Sequence, residues 1–146
     1  MNSRVRRDDR GSVLPLIIGS VVVMTLLVAV VTDVSVLWLA RRSVQASVDG
    51  AALAGAQAVD LPTLYAEGAD GDLALDPRAA RAAVRSYVRA LPTAGLPTGF
   101  RVSSVDATAV TVSVRAEATV RLPFLSFLTG RGVPVVAEAT ARNTAV

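Results

Sequence analysis

Glu67, Asp70, Asp72 and Asp76 stand close together in the chain, and such a carboxylate run is where metal binding or acid/base chemistry would begin. Asp70-Gly71-Asp72 suggests calcium, but it lacks the alternating oxygen ligands and closing Glu of a calcium loop. A solvated acidic turn is the competing reading. Carboxylates strung along one loop are also not a positioned acid/base pair. A second charged group is Arg78, Arg81, Arg85 and Arg89, whose spacing puts four guanidinium groups on one helix face. That face suits an acidic partner or an anionic envelope polymer, or it is simply the solvated side. Asp33 is a third, a lone carboxylate at the end of a long apolar run.

The missing residue types restrict the chemistry further. The chain has no His and no Cys. All 15 basic residues are Arg. His bases, Ser-His-Asp triads, Ser-Lys pairs, thiolates, disulfides and His or Cys metal sites therefore cannot be built. No phosphate-cradling glycine motif is present. The sequence predicts no catalytic residue, no cofactor, no metal and no small-molecule substrate. The isoelectric point near 10.5 accompanies a net charge of only +3. It follows from Arg without Lys or His and gives little reason to expect nucleic acid as a partner.

The elements that carry these residues begin with a membrane span. Val13 to Thr32 reads VLPLIIGSVVVMTLLVAVVT, without a charge. A helix of that length spans about 30 Å, the thickness of the hydrocarbon core. The apolar run continues past Asp33 to Ala40, with Trp38 placed for the outer interface. A buried core helix is the first competing reading, and the absence of a polar face argues against it. A cleaved signal peptide is the second, with small residues at Ala52-Leu53-Ala54, although the run is long for a signal core. Arg4, Arg6, Arg7 and Arg10 precede the span and Arg41 and Arg42 follow it, which predicts a cytoplasmic N-terminus and an extracytoplasmic remainder in the cell membrane.

Beyond Ala40 the helix is expected to continue to about Val59, with Ala46, Gly50, Ala54 and Ala58 as a row of small packing residues. Leu61 to Asp76 reads as a loop. Asp76-Pro77 then opens an amphipathic helix whose apolar side holds Ala80, Val84, Tyr87, Val88 and Leu91. After a turn-rich linker from Pro92 to Gly99 the period changes to two. Strands are predicted at Phe100 to Val105, Val110 to Leu122 and Val133 to Arg142, with a turn at Asp106 to Ala109. Between the last two lies LPFLSFLTG, whose Phe124, Leu125, Phe127 and Leu128 either cap the core or form an exposed docking patch. The fold class is α+β. A single-pass transmembrane helix continues into an extracytoplasmic helix, followed by an amphipathic helix and a small antiparallel sheet of three or four strands. The expected divisions are a basic stub at 1–12, the span at 13–40, its extension at 41–60 and the small domain at 61–146.

Several segments together carry a resemblance. They are Arg10-Gly11-Ser12 before the apolar helix, Asp33, Arg41-Arg42-Ser43-Val44-Gln45, and Asp49-Gly50-Ala51-Ala52-Leu53-Ala54-Gly55-Ala56. This arrangement resembles the N-terminal signature of TadE/TadG-like proteins of Tad-type Flp (tight adherence) pilus systems. The pattern has a glycine before the membrane helix, an Asp near its outer end, and an Arg-x-x-Gln-x-x-x-Asp-Ala-Ala-Ala-Leu-Ala-Gly-like stretch. Gly11, Asp33, Arg42, Gln45 and Asp49 match it, with Gly50 in place of the usual Ala. The strands ending near VVAEATAR are also similar to the C-terminal part of such proteins. The resemblance implies a pilin-like layout and a role in assembly, with other pilus-assembly or pilin-like proteins as partners. Prepilin-like substrates are cut after a glycine and carry Glu at the fifth position that follows. Here that position is Leu16, preceded by Pro15, so processing at Gly11 is not expected. A retained, TadG-like membrane component is implied rather than a polymerised pilin. The alternative is a membrane-anchored envelope-binding module that uses the Arg face.

Overall fold

The structure, a computed structural model, describes residues 13–58 and 75–143. The basic stub and the carboxylates Glu67, Asp70 and Asp72 lie outside them. Helix α1 runs unbroken from Val13 to Ala56, 44 residues or about 66 Å at 1.5 Å per residue. A turn through Gln57 and Ala58 follows, where the Gln57 N–H donates to the Leu53 carbonyl. Every side chain from Val13 to Val28 is exposed, and no other described element covers this part of α1. The hydroxyls of Ser20, Thr25, Thr32 and Ser35 donate to carbonyls about a turn earlier, at 2.8–2.9 Å, so their protons are satisfied within the helix.

The second half of α1 is the central element of a small head. Helix α2 spans Pro77–Ala90. Asp76 caps it by accepting the Arg78 N–H at 2.8 Å, and Pro77 occupies the first turn, where no N–H is needed. Strands β1 (Arg101–Ala107), β2 (Thr111–Val120) and β3 (Val133–Arg142) form an antiparallel sheet in the order β1-β2-β3. The period-two pattern is realised in β2, where Val112, Val114, Ala116, Ala118 and Val120 are buried and the alternate residues face outward. Helix α1 packs across β2 and β3, and α2 lies against α1 and β1. The core holds Val44, Val48 and Ala51 of α1, Ala80 and Val84 of α2, and the inner face of the sheet. The outer face is polar and carries the cross-strand ion pairs Arg101–Glu117 and Arg115–Glu138.

Two boundaries depart from expectation. The β1–β2 turn falls at Thr108 to Val110 instead of Asp106 to Ala109. Thr108 sets it, its hydroxyl oxygen accepting the Thr111 N–H at 3.0 Å while its own N–H donates to the Thr111 carbonyl. A short helix, α3 (Leu125–Thr129), also forms inside LPFLSFLTG, closed by Gly130 at φ 65°.

Candidate functional site along the seam between the long helix and the head

Asp33 is the first residue of α1 past the uncharged stretch, and its side chain is buried among the head residues that meet α1 there. Its two carboxylate oxygens accept the N–H groups of Phe124 (3.0 Å) and Leu125 (2.7 Å), at the start of α3. One turn of a short helix would otherwise leave these donors without partners. Nothing in the sequence signals this pairing, since about ninety residues separate its members. The contact joins the end of the apolar stretch to the connection between β2 and β3.

Three turns further on, Gln45 bridges α1 to the sheet. Its side-chain amide donates to Asp49 Oδ1 at 2.8 Å and to the Glu138 carbonyl of β3 at 3.2 Å. Asp49 thus orients Gln45 from the next helical turn, and Gln45 holds β3. Ser43 donates to the Gly95 carbonyl at 2.9 Å and ties down the linker after α2. Arg42 reaches back instead, its guanidinium 5.6 Å from the Trp38 ring centroid. Asp33, Gln45 and Asp49 therefore act on one seam, and Arg42 stands beside it. Gly11 lies outside the described residues.

The small-residue row lies along the flank of this seam. Ala46 is exposed, Gly50 and Ala54 are half-buried, and Ala58 packs against the core edge. The buried stripe of α1 runs instead through Val44, Val48, Ala51, Ala52 and Gly55. A strict four-residue row drifts about 40° per step on a helix with 3.6 residues per turn, so Ala46 and Ala58 point in different directions. Gly50 does permit a close approach, because a Cβ there would run into the Tyr87 ring and hydroxyl of α2.

On α2, Arg78, Arg81, Arg85 and Arg89 are all exposed, opposite buried Ala80 and Val84. Arg85 and Arg89 border a recess of about 600 Å³ floored by Val84, Val88, Val102 and Val105. Among the described residues no cluster of three or more acidic side chains is placed to hold a metal ion.

Of the motif residues, Asp33 and Gln45 thus bond to the head directly, and Asp49 acts through Gln45. Residues 11–58 match the model of the Tad family, "Putative Flp pilus-assembly TadE/G-like". The matched Tad segment begins at the expected glycine and ends with the turn that closes α1. It carries the helix side of the seam, while the sheet and α2 lie beyond it. No curated protein and no solved structure matches the chain.

Proposed function

We propose that this protein is a non-enzymatic, membrane-anchored component of a Tad/Flp-type pilus assembly or a related secretion apparatus. The observation that carries the reading is the Tad match on the stretch that combines an uncovered apolar helix with the motif residues of the seam. Val13 to Thr32 serves as the span, the N-terminus is cytoplasmic, and the head stands outside. A signal peptide cleaved near Ala54 fits this structure poorly, because the cut would remove Val44, Val48, Ala51 and Ala52 from the core. Assembly then proceeds by contact. The exposed part of the small-residue row, Ala46 with the edge of Ala54, offers a close-packing surface to a neighbouring helix, and the head meets pilin or sister Tad-like proteins.

Crosslinking in intact cells with a tagged copy, followed by gentle membrane extraction, tests this reading. Recovery of pilin, of the assembly platform or of a sister Tad-like protein supports it. Recovery of cell-wall polymer alone favours the envelope-binding alternative, in which the exposed Arg face of α2 is the contact. Orientation is tested separately with a C-terminal alkaline phosphatase fusion, which is active when the head is outside. An inactive enzyme there, with a fluorescent C-terminal green fluorescent protein, would reverse the topology.

A further inference from the structure

Helix α3 exposes large apolar side chains at a specific height on the molecule. Phe127 is 88% exposed and Leu128 79%, with Phe124 and Leu125 near half. Among the described side chains of this segment only Leu122 belongs to the core. The paired hydrogen bonds to Asp33 fix the start of α3 at the outer end of the uncharged stretch of α1. The adjoining surface of α1 is apolar too, with Val30, Val31 and Val34 each more than half exposed.

Six backbone N–H groups of this segment have identified acceptors. The Leu122 N–H donates to the Ser126 hydroxyl at 2.8 Å. The Ser126, Leu128 and Gly130 N–H groups donate to the Leu122, Phe124 and Ser126 carbonyls. The Phe124 and Leu125 N–H groups are taken by Asp33, and Pro123 has none to offer. Engaged backbone donors under a cover of Phe and Leu lower the cost of moving a segment from water towards hydrocarbon. Slightly further out along α1 stand side chains suited to a headgroup layer. Trp38 lies five residues, about 7.5 Å, beyond Asp33, exposed and with the Arg42 guanidinium over its ring. Arg121, at the approach to α3, lines a recess together with Val36 and Leu39 of α1.

We propose that α3 is a second membrane contact, with Phe127 and Leu128 entering the outer leaflet beside α1, so that the head sits down on the bilayer. The proposal rests on the reading of Val13 to Thr32 as a membrane span. The occupant of the apolar surface is lipid, because that surface is continuous with the lipid-facing side of the span and is bordered by Trp38 and Arg side chains. Because α1 runs unbroken into the core of the head, contact at α3 fixes the tilt of the helix and head together on the bilayer.

The absence of cysteine makes the test direct. The full chain, reconstituted in vesicles of phosphatidylcholine and phosphatidylglycerol, is labelled with one fluorophore at V22C, F127C, P123C or A109C. Quenching is then measured with a lipid-borne and with a water-borne quencher. Val22 reports the span, and Ala109 lies at the opposite end of β2 from α3. The P123C reporter keeps Phe127 and Leu128 intact. Labels at Phe127 and Pro123 are expected to be quenched several-fold more by the lipid-borne quencher than the label at Ala109. In the P123C background, Phe127→Ser with Leu128→Ser should reduce that lipid quenching towards the Ala109 level. Lipid quenching at Val22 with none at Phe127 and Pro123 overturns the α3 contact and leaves the span standing. Shielding of Phe127 from both quenchers also overturns it, in favour of a covering protein. No lipid quenching at Val22 removes the span itself, and the α3 contact with it.

Discussion

At the residue scale, Asp33 couples two facts that its position in the sequence kept apart. A buried carboxylate is costly unless its oxygens are engaged, and here both accept backbone N–H groups. Replacement by Ala leaves the donors of Phe124 and Leu125 without a partner in a partly buried site, which costs about 1–3 kcal/mol. The D33A protein should therefore show amide exchange at Phe124 and Leu125 faster by about 5- to 150-fold, since 1.4 kcal/mol is one decade. Asn keeps one acceptor oxygen, so D33N should fall between wild type and D33A. Unchanged exchange in D33A would mean that α3 is held by its own hydrogen bonds alone. Gln45 invites a parallel argument at a more exposed site. Q45A removes the donor to Glu138, and the loss, about 0.5–1.5 kcal/mol, should be read as a lower denaturation midpoint with β3 amides most affected.

At the element scale, the decisive crossing is where α1, α2 and β2 meet around Gly55. A Cβ at that position would lie 2.9 Å from both Val112 Cγ1 and Val84 Cγ2, and those two side chains are themselves fully buried. Ala is a better helix former than Gly by about 1 kcal/mol, yet overpacking a rigid site costs about 1–3 kcal/mol. G55A should therefore destabilise the head, measured by thermal denaturation in detergent. G50A should cost less, because Tyr87 is half-buried and its ring can swing outward. This crossing also shows what was legible in the sequence. The amphipathic α2 and the alternation in β2 and β3 repeat a local period, the long helix starts from an unbroken uncharged run, and all of them formed where these local patterns placed them. The buried stripe of α1 was less legible, since Val44 and Val48 set it and a composition rich in Ala offers several small-residue rows. The β1–β2 turn moved because a single Thr108 hydroxyl outweighs the turn propensity of Asp106. The partner of Asp33 was not legible at all, because nothing periodic links a helix position to a loop so far along the chain.

At the scale of the whole molecule, the same helix is uncovered at one end and forms the core at the other. From Val13 to Val28 no side chain is covered, while Val44, Val48, Ala51 and Ala52 are at most 1% exposed beneath the sheet. The uncovered stretch and the core of the head therefore belong to one continuous helix, unbroken from Val13 to Ala56. This arrangement separates two truncations that a simple anchor-plus-domain view would treat alike. A fragment of residues 33–146 keeps Asp33 and every core residue, so it should fold, with cooperative thermal unfolding followed by circular dichroism. A fragment of residues 57–146 loses the α1 half of the core, including five buried apolar side chains from Val44 to Ala56. Burying a Val side chain alone contributes about 1.5 kcal/mol or more, and domain stabilities are only about 5–15 kcal/mol, so this fragment should show no cooperative transition. The same reasoning fixes the mass of the protein recovered from membranes, which should include the apolar stretch of α1. A folded 57–146 fragment would mean that the sheet finds its cover elsewhere, and it would reopen the possibility that the long helix is removed after export.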